Sequence, residues 1–280
     1  MLGRRGLAVK TADQIRKMRL AGLVVAETLE LIGTQAGAGM TTGDLDRAAE
    51  DFIRSKGATP SFLGYQGFTG SLCVSVNEEV VHGIPGSRTL RGGDLVSIDC
   101  GAIVDGWHGD AAISLIVGGR EAGSLRDLAL MDVTQAAMWA GIAALAVGSR
   151  LYDVGAAVED CIVDAARVDG VTYGIVEEYV GHGIGTAMHQ DPQVPNYRVR
   201  GRGPTVRSGV TVAIEPMITL GSAETDVLDD DWTVVTRDGS RAAHWEQSVA
   251  VTDAGIWVMT ALDGGRERLE ALGAAYAPLA

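Results

Sequence analysis

Five side chains have the types and settings that suit divalent metal ions: Asp99, Asp110, His182, Glu215 and Glu246. Asp99 follows the apolar run 95–98. Asp110 comes eleven residues later, past Gly106-Trp107-His108-Gly109. Glu215 follows Val212-Ala213-Ile214 and precedes Pro216. Glu246 opens the run 247–251, and His182 sits inside Gly181-His182-Gly183-Ile184-Gly185. A carboxylate in an apolar strand is costly to bury unless an arginine or a metal neutralises it. Four carboxylates and one imidazole make an oxygen-rich set suited to Mn, Fe, Co or Zn. Carboxylates can bridge two ions, and a two-ion site can clamp and activate a water for hydrolysis. Each residue alone reads more readily as structural. The combination is what points to chemistry.

Strands and helices must bring these residues together. Thr11 and Gln14 form a capping box, followed by apolar positions Ile15, Met18, Val25, Leu29 and Ile32 at helical spacing, with Gly22 as a gap on that face. Thr42 is read as the cap of a second helix through Leu45, Ala48, Phe52 and Ile53, closed by Gly57. Strand patterns rich in β-branched residues cover 72–76, 95–98 and 113–117, with turns at Pro85-Gly86 and Gly92-Gly93. Helices are expected near 122–147 and 151–168. Strands return at 210–214, 232–236, 246–251 and 257–260.

This order, helices then strands then helices then strands, suggests an internal duplication. The run from Leu90 to Asp99 can be laid over the run from Val206 to Glu215. Both read apolar-Arg-small-Gly, two further residues, then Val-small-Ile-carboxylate. Val80-Val81-His82-Gly83-Ile84 likewise matches Val180-Gly181-His182-Gly183-Ile184. Two such halves would pair about a pseudo-twofold axis, with their polar groups converging at the seam. No linker composition separates them, so one domain is expected, over 11–262, between an N-terminal segment 1–10 and a C-terminal tail 263–280.

Composition excludes several classes. Hydrophobic residues make up 46% of the 280, which supports a packed core rather than disorder. A net charge of −13 disfavours nucleic acid and anionic lipid unless a local basic patch exists. Arg4-Arg5 and Arg198/Arg200/Arg202 are too short to read as one. Cys73, Cys100 and Cys161 are scattered, without a C-x-x-C, so neither a disulfide framework nor a zinc knuckle is expected, and a reducing, cytoplasmic setting fits. The apolar run after Arg5 ends at Lys10, which is too short for a secretory signal. No stretch reaches the roughly 18–20 apolar residues of a membrane span.

The local sequences around the five residues resemble those of type I methionine aminopeptidases. The strings are IDCGAIVDGWHGDAA around Asp99 and Asp110, GHGIGTAMHQDPQVPNY around His182, AIEPM around Glu215 and HWEQSVAVTDAG around Glu246. They occur in the family's order and spacing, and the resemblance runs from about Thr11 to Leu262. It implies an α/β pita-bread fold: two pseudo-symmetric halves, with antiparallel sheet and helices, around a dinuclear metal site. By resemblance Asp99 binds one ion, Asp110 and Glu246 bridge both, and His182 and Glu215 complete the second. His82, in VVHGIPG, and His189, seven residues after His182, are implied to contact the scissile amide and its carbonyl. Glu215 is the implied proton shuttle. Tyr65, Phe68, Cys73, Met188 and Trp232 match the pocket for the methionine side chain, and Cys73 is the type I mark. The implied substrates are nascent chains beginning Met followed by a small residue. The ribosome surface is a candidate partner, and a monomer is expected.

Some positions depart from the family pattern. Gln66 stands where histidine is frequent, and Met188 where an aromatic is frequent, which puts pocket shape in question. His244 and His108 precede Glu246 and Asp110 by two, so each shares a strand face with a ligand candidate. The interval from His189 to Glu215 leaves no room for the type II helical insertion. The ten residues before Thr11 leave none for a zinc-binding extension. A proline-directed relative of the same fold and a metal-free pita-bread binding protein are the alternatives. The first usually carries an extra N-terminal domain, and the second should have broken ligands. A serine or cysteine nucleophile has no local histidine partner. The glycines around His182 lack the spacing of a dinucleotide loop.

Overall fold

The computed structural model describes residues 7–279. Arg4 and Arg5 lie outside the described residues. Helix α1, Ala12–Gln35, starts at a complete capping box. The Gln14 N–H donates to the Thr11 hydroxyl, and the Thr11 N–H donates to the Gln14 side chain. Its face of Ile15, Met18, Val25, Leu29 and Ile32 is buried. Gly22 is no defect in that face: a Cβ there would lie 2.2 Å from the Met259 carbonyl oxygen. Helix α2, Thr42–Ser55, is capped by Thr41, not Thr42. Asp44 returns the second bond of the box to the Thr41 N–H. The Thr42 hydroxyl instead accepts from the Gly86 N–H at 2.9 Å.

Strands β1 (Thr59–Pro60), β2 (Leu72–Val76), β3 (Glu79–Val81), β4 (Leu95–Val104) and β5 (Trp107–Ile116) complete the first half. Strand β4 runs on past Ile98, and β5 starts well before Ile113. Both extensions follow from a two-residue turn at Asp105-Gly106, with φ of 49° and 79°. An Asp-Gly pair accepts positive φ at both positions, and such a turn matches the strand twist. The second half begins with α3 (Leu125–Ala143) and α4 (Asp153–Asp169). It continues through β6 (Gly174–Ile175), β7 (Gly181–Gly183), β8 (Gln190–Val194), β9 (Thr211–Ile214) and β10 (Met217–Thr219). Then come β11 (Thr225–Val227), β12 (Val234–Thr236), β13 (Ala242–His244), β14 (Glu246–Thr252), β15 (Gly255–Val258) and α5 (Arg266–Ala271). Leu269 of α5 is buried, and Tyr276 bridges to Ile256.

The main sheet has the order β1-β4-β5-β14-β9-β7-β8, with β2 also on β4 and β15 also on β14. Outward from the β5–β14 seam, the first half runs β5, β4, β2 and the second β14, β9, β7. The matched runs 90–99 and 206–215 thus fall on β4 and β9, one strand out from the seam on each side, whereas the other match does not carry over, because β7 lies in this sheet while β3 pairs with β12. Each half has its own core. Val25, Leu29, Leu45 and Ile53 from α1 and α2 pack on Leu72, Val96 and Ile98. Met138, Ile142, Val154 and Val158 from α3 and α4 pack on Val212, Ile214 and Val249. Small sheets β13-β10-β6 and β11-β12-β3 complete the fold.

Alternation along the strands then decides where the acids go. Ile98 and Cys100 of β4 belong to the first core, and Ile214 at the end of β9 belongs to the second. Asp99 and Glu215 are their immediate neighbours, so they face the opposite side of the sheet, away from the helices.

Candidate metal centre

Strand register sets the cluster. Ala112 of β5 lies between Asp99 of β4 and Glu246 of β14. Gln247 pairs with Ile214, which carries Glu215 into the next position of the same row. Asp110 is two residues from Ala112 and shares its face. The small Ala112 leaves room above the sheet where the carboxylates converge. His182 reaches the row from β7, with Nε2 3.4 Å from Glu215 Oε1. Its Nδ1 is 3.0 Å from the Gly183 carbonyl oxygen. With that N–H donating, the proton sits on Nδ1 and Nε2 is left as a free donor atom. The flanking glycines serve close backbone approach: a Cβ on Gly181 or Gly183 would lie 2.3 Å from the carbonyl oxygens of Ala213 and Asp191.

The electrostatics call for positive charge. Asp99, Asp110, Glu215 and Glu246 are all buried. One oxygen of each, Oδ1 or Oε1, is fully buried and has no hydrogen-bond partner. Among the described residues, no recorded ion pair brings a lysine or arginine to any of them. Burial pushes the Asp99 carboxyl up to about 7. It also raises Asp110, Glu215 and Glu246 well above the usual carboxylate range, with mutual repulsion adding to it. Ligand atoms of Asp110, His182 and Glu246 lie within 4.8 Å of one another, and so do those of Glu215, His244 and Glu246. Four carboxylates, each with one orphaned oxygen, and an imidazole nitrogen fit divalent cations, which would satisfy the orphaned atoms together. Of the two neutralising groups open from sequence, arginine and metal, the geometry fits the metal.

All seven expected pocket residues line the cavity above this cluster. Phe68, Cys73 and Met188 are buried against one another, with Tyr65 and Trp232 packed on them. The Phe68 and Trp232 rings meet edge-on at 5.0 Å. His82 has φ 61°, a left-handed conformation that is costly for a residue with a Cβ. Its ring stands edge-on to Tyr179 at 5.5 Å and to Trp232 at 6.0 Å. Burial lowers its pKa to about 4, so it is neutral at physiological pH. His189 Nδ1 lies 2.9 Å from the Tyr65 hydroxyl, and its ring meets His182 edge-on at 4.4 Å.

Phe62 and Val81 also line the cavity, and Tyr179 touches His82. Sequence reasoning did not single these out. Phe62 and Val81 each lie within three residues of an expected site residue, the only local signal they carry. Gln66 is exposed, in a 3-10 turn at Tyr65–Gly67 with φ 49°. His108 hydrogen-bonds Ser61 Oγ at 3.0 Å and does not line the cavity. His244 is buried and within ligand range of Glu215 and Glu246.

A buried four-carboxylate, one-imidazole cluster at the seam of the two halves is a candidate centre for divalent cations, the kind of centre that metallopeptidases use. Residues 16–253 match the metallopeptidase family M24, and the chain belongs to that family. Relatives to which it is similar include methionine aminopeptidases. It is 52% identical to methionine aminopeptidase 1 of Mycobacterium tuberculosis over 259 residues, 92% of this chain and 96% of the relative. It is 44% identical to methionine aminopeptidase 1 of Bacillus subtilis, over 90% of this chain and 98% of that one. The crystal structure of methionine aminopeptidase from Rickettsia prowazekii superposes with a TM-score of 0.85 at 37% identity, covering 91% of this chain and 99% of that one. The prolidase from Pyrococcus horikoshii shares the fold, with a TM-score of 0.68 at 15% identity.

Proposed function

We propose that the protein is a methionyl aminopeptidase that removes the initiator methionine from nascent chains with a small second residue. One observation carries this reading above the others: the buried cluster of Asp99, Asp110, His182, Glu215 and Glu246 forms the floor of a pocket walled by aromatic and sulfur groups. Asp99, Asp110, His182, Glu215 and Glu246 would hold the ions, Asp99 on one side of the cluster and His182 with Glu215 on the other, with Asp110 and Glu246 shared between them. Mn, Co, Fe(II) and Zn all suit this donor set. Bound ions supply a water acidified enough to attack an amide at neutral pH.

The chain's own residues do the rest. Phe62, Phe68, Cys73 and Met188 take up an unbranched thioether by dispersion and sulfur–aromatic contact. Tyr65 and Trp232 close the sides. Glu215, buried in the cluster, accepts a proton from the attacking water and returns it to the leaving amine. The neutral His82 donates an N–H to the substrate near the scissile amide. With the Tyr65 O–H donating to Nδ1, His189 carries its proton on Nε2, a donor for the carbonyl oxygen as charge develops there. Residues 11–262 are read as one catalytic domain, acting as a cytoplasmic monomer that meets its substrates at the ribosome surface. No helix among the described residues is long and apolar enough to cross a membrane, in keeping with that setting.

The test of specificity is competition between Met-Ala-Ser, Leu-Ala-Ser and an X-Pro dipeptide on metal-loaded protein. Methionine release from the first, with slow cleavage of the second and none of the third, is expected. Preferred cleavage of X-Pro, with no methionine released, would move the assignment to a proline-directed peptidase.

A further inference from the structure

His244 has no role in the site described above, yet unlike His108 it lies within ligand range of two of its carboxylates. It ends β13, two residues before Glu246 and in register with Met217, which itself lies two residues after Glu215. Its side chain therefore stands at the corner where the strands carrying Glu215 and Glu246 meet. The residue is 1% exposed, and its Nε2 has no hydrogen-bond partner. Glu215 Oε1 and Glu246 Oε1 are also buried and unpartnered. Ligand atoms of all three residues lie within 4.8 Å of one another. Three orphaned polar atoms in one place are costly unless something satisfies them together.

The main chain at this point is held firmly. The His244 N–H donates to the hydroxyls of Ser97 and Ser114 at 3.1 and 3.0 Å. The Ser114 hydroxyl donates back to the His244 carbonyl at 2.8 Å, and the two serines contact each other at 2.8 Å. Both serines are buried. A buried serine pair thus fixes the backbone from which the imidazole projects, and a fixed imidazole is a preorganised ligand.

We propose that His244 is a second imidazole ligand of the metal centre, the third donor for a cation shared with Glu215 and Glu246. The proposal rests on the reading that the cluster holds divalent ions. An ion between the three residues uses donor atoms already spaced for it, whereas no hydrogen bond joins His244 Nε2 to either carboxylate. The site would then have six donors from the chain rather than five, and one more nitrogen. An added neutral nitrogen favours borderline ions such as Co, Fe(II) or Zn over the harder Mn.

Proton NMR of the Co(II)-loaded protein tests this directly, because each imidazole bound to Co(II) gives its own strongly shifted, exchangeable N–H signal. Two such signals are expected in the unmodified protein. His244→Gln should remove one and His182→Gln the other, and His244→Gln should weaken Co(II) binding by about tenfold or more in a calorimetric titration. A single shifted imidazole in the unmodified protein would overturn the proposal while leaving the metal centre intact, and would need no variant to fold. Two signals that both survive in His244→Gln would also overturn it. Failure of the unmodified protein to bind Co(II) at all would overturn the metal reading itself.

Discussion

At the level of single residues, His82 couples an unusual backbone to an unusual protonation state. Its left-handed φ of 61° holds the ring edge-on to Tyr179 and Trp232, and burial keeps it neutral down to about pH 4. Unfolding lets the ring take up a proton near its ordinary 6.5. His82 therefore contributes stability that is fully present above about pH 6.5 and is lost as pH falls toward 4. Asparagine tolerates the same backbone and does not titrate. In urea denaturation of the metal-free protein, His82→Asn should lose less stability than the unmodified protein between pH 6.5 and 4. Equal losses would mean that His82 already titrates normally. His82 was legible in the sequence through its motif, as were the five ligand candidates. Phe62 and Tyr179 were not. They reach the site through loops and neighbouring strands, so their role exists only in three dimensions.

At the level of elements, caps and close approaches carried most of the information. The capping box at Thr11 marked α1, and the strand 72–76 was readable to the residue. The second helix was read one residue late, because Thr41 and Thr42 are both plausible caps and only the return bond from Asp44 separates them. The lengths of β4 and β5 were missed for a different reason. Residues 99–112 are rich in Gly, Ala and Asp and lack a β-branched pattern. They are strand because the Asp105-Gly106 turn locks the two in register. Gly22 shows tertiary structure overriding helix propensity. Alanine is the better helix former, yet a Cβ here meets the Met259 backbone at 2.2 Å. Gly22→Ala should destabilise the protein by about 1–3 kcal/mol in chemical denaturation, since α1 must shift from the sheet. A gain in stability would show that α1 is not held as described.

At the level of the whole molecule, the two halves bring four buried carboxylates to one seam in a chain that already carries a net charge of −13. The repeat in the sequence pairs Asp99 with Glu215 alone, since neither Asp110 nor Glu246 falls in the matched runs. What it could not announce was the row Asp99–Ala112–Glu246, which depends on β5 pairing with β14 across the seam. Divalent cations should bind the folded chain far better than the unfolded one, because only folding assembles the donors. At a hundredfold excess over Kd this gives about 2.7 kcal/mol of stabilisation, or a Tm rise of roughly 5 °C or more by calorimetry. Protons compete for the same carboxylates, with Asp99 at about 7, so the rise should be larger at pH 8 than at pH 6. A Tm that ignores added Mn(II), Co(II) and Zn(II) would mean that the donors are not a metal site.

The most direct measurement is methionine release from Met-Ala-Ser by chelator-stripped protein before and after addition of Co(II) or Mn(II), beside Glu215→Gln. No release before metal, rapid release after it, and a rate about 10²–10⁴ lower in Glu215→Gln is the predicted result. Undiminished release from the stripped protein, or none from protein shown to hold its metal, would contradict it.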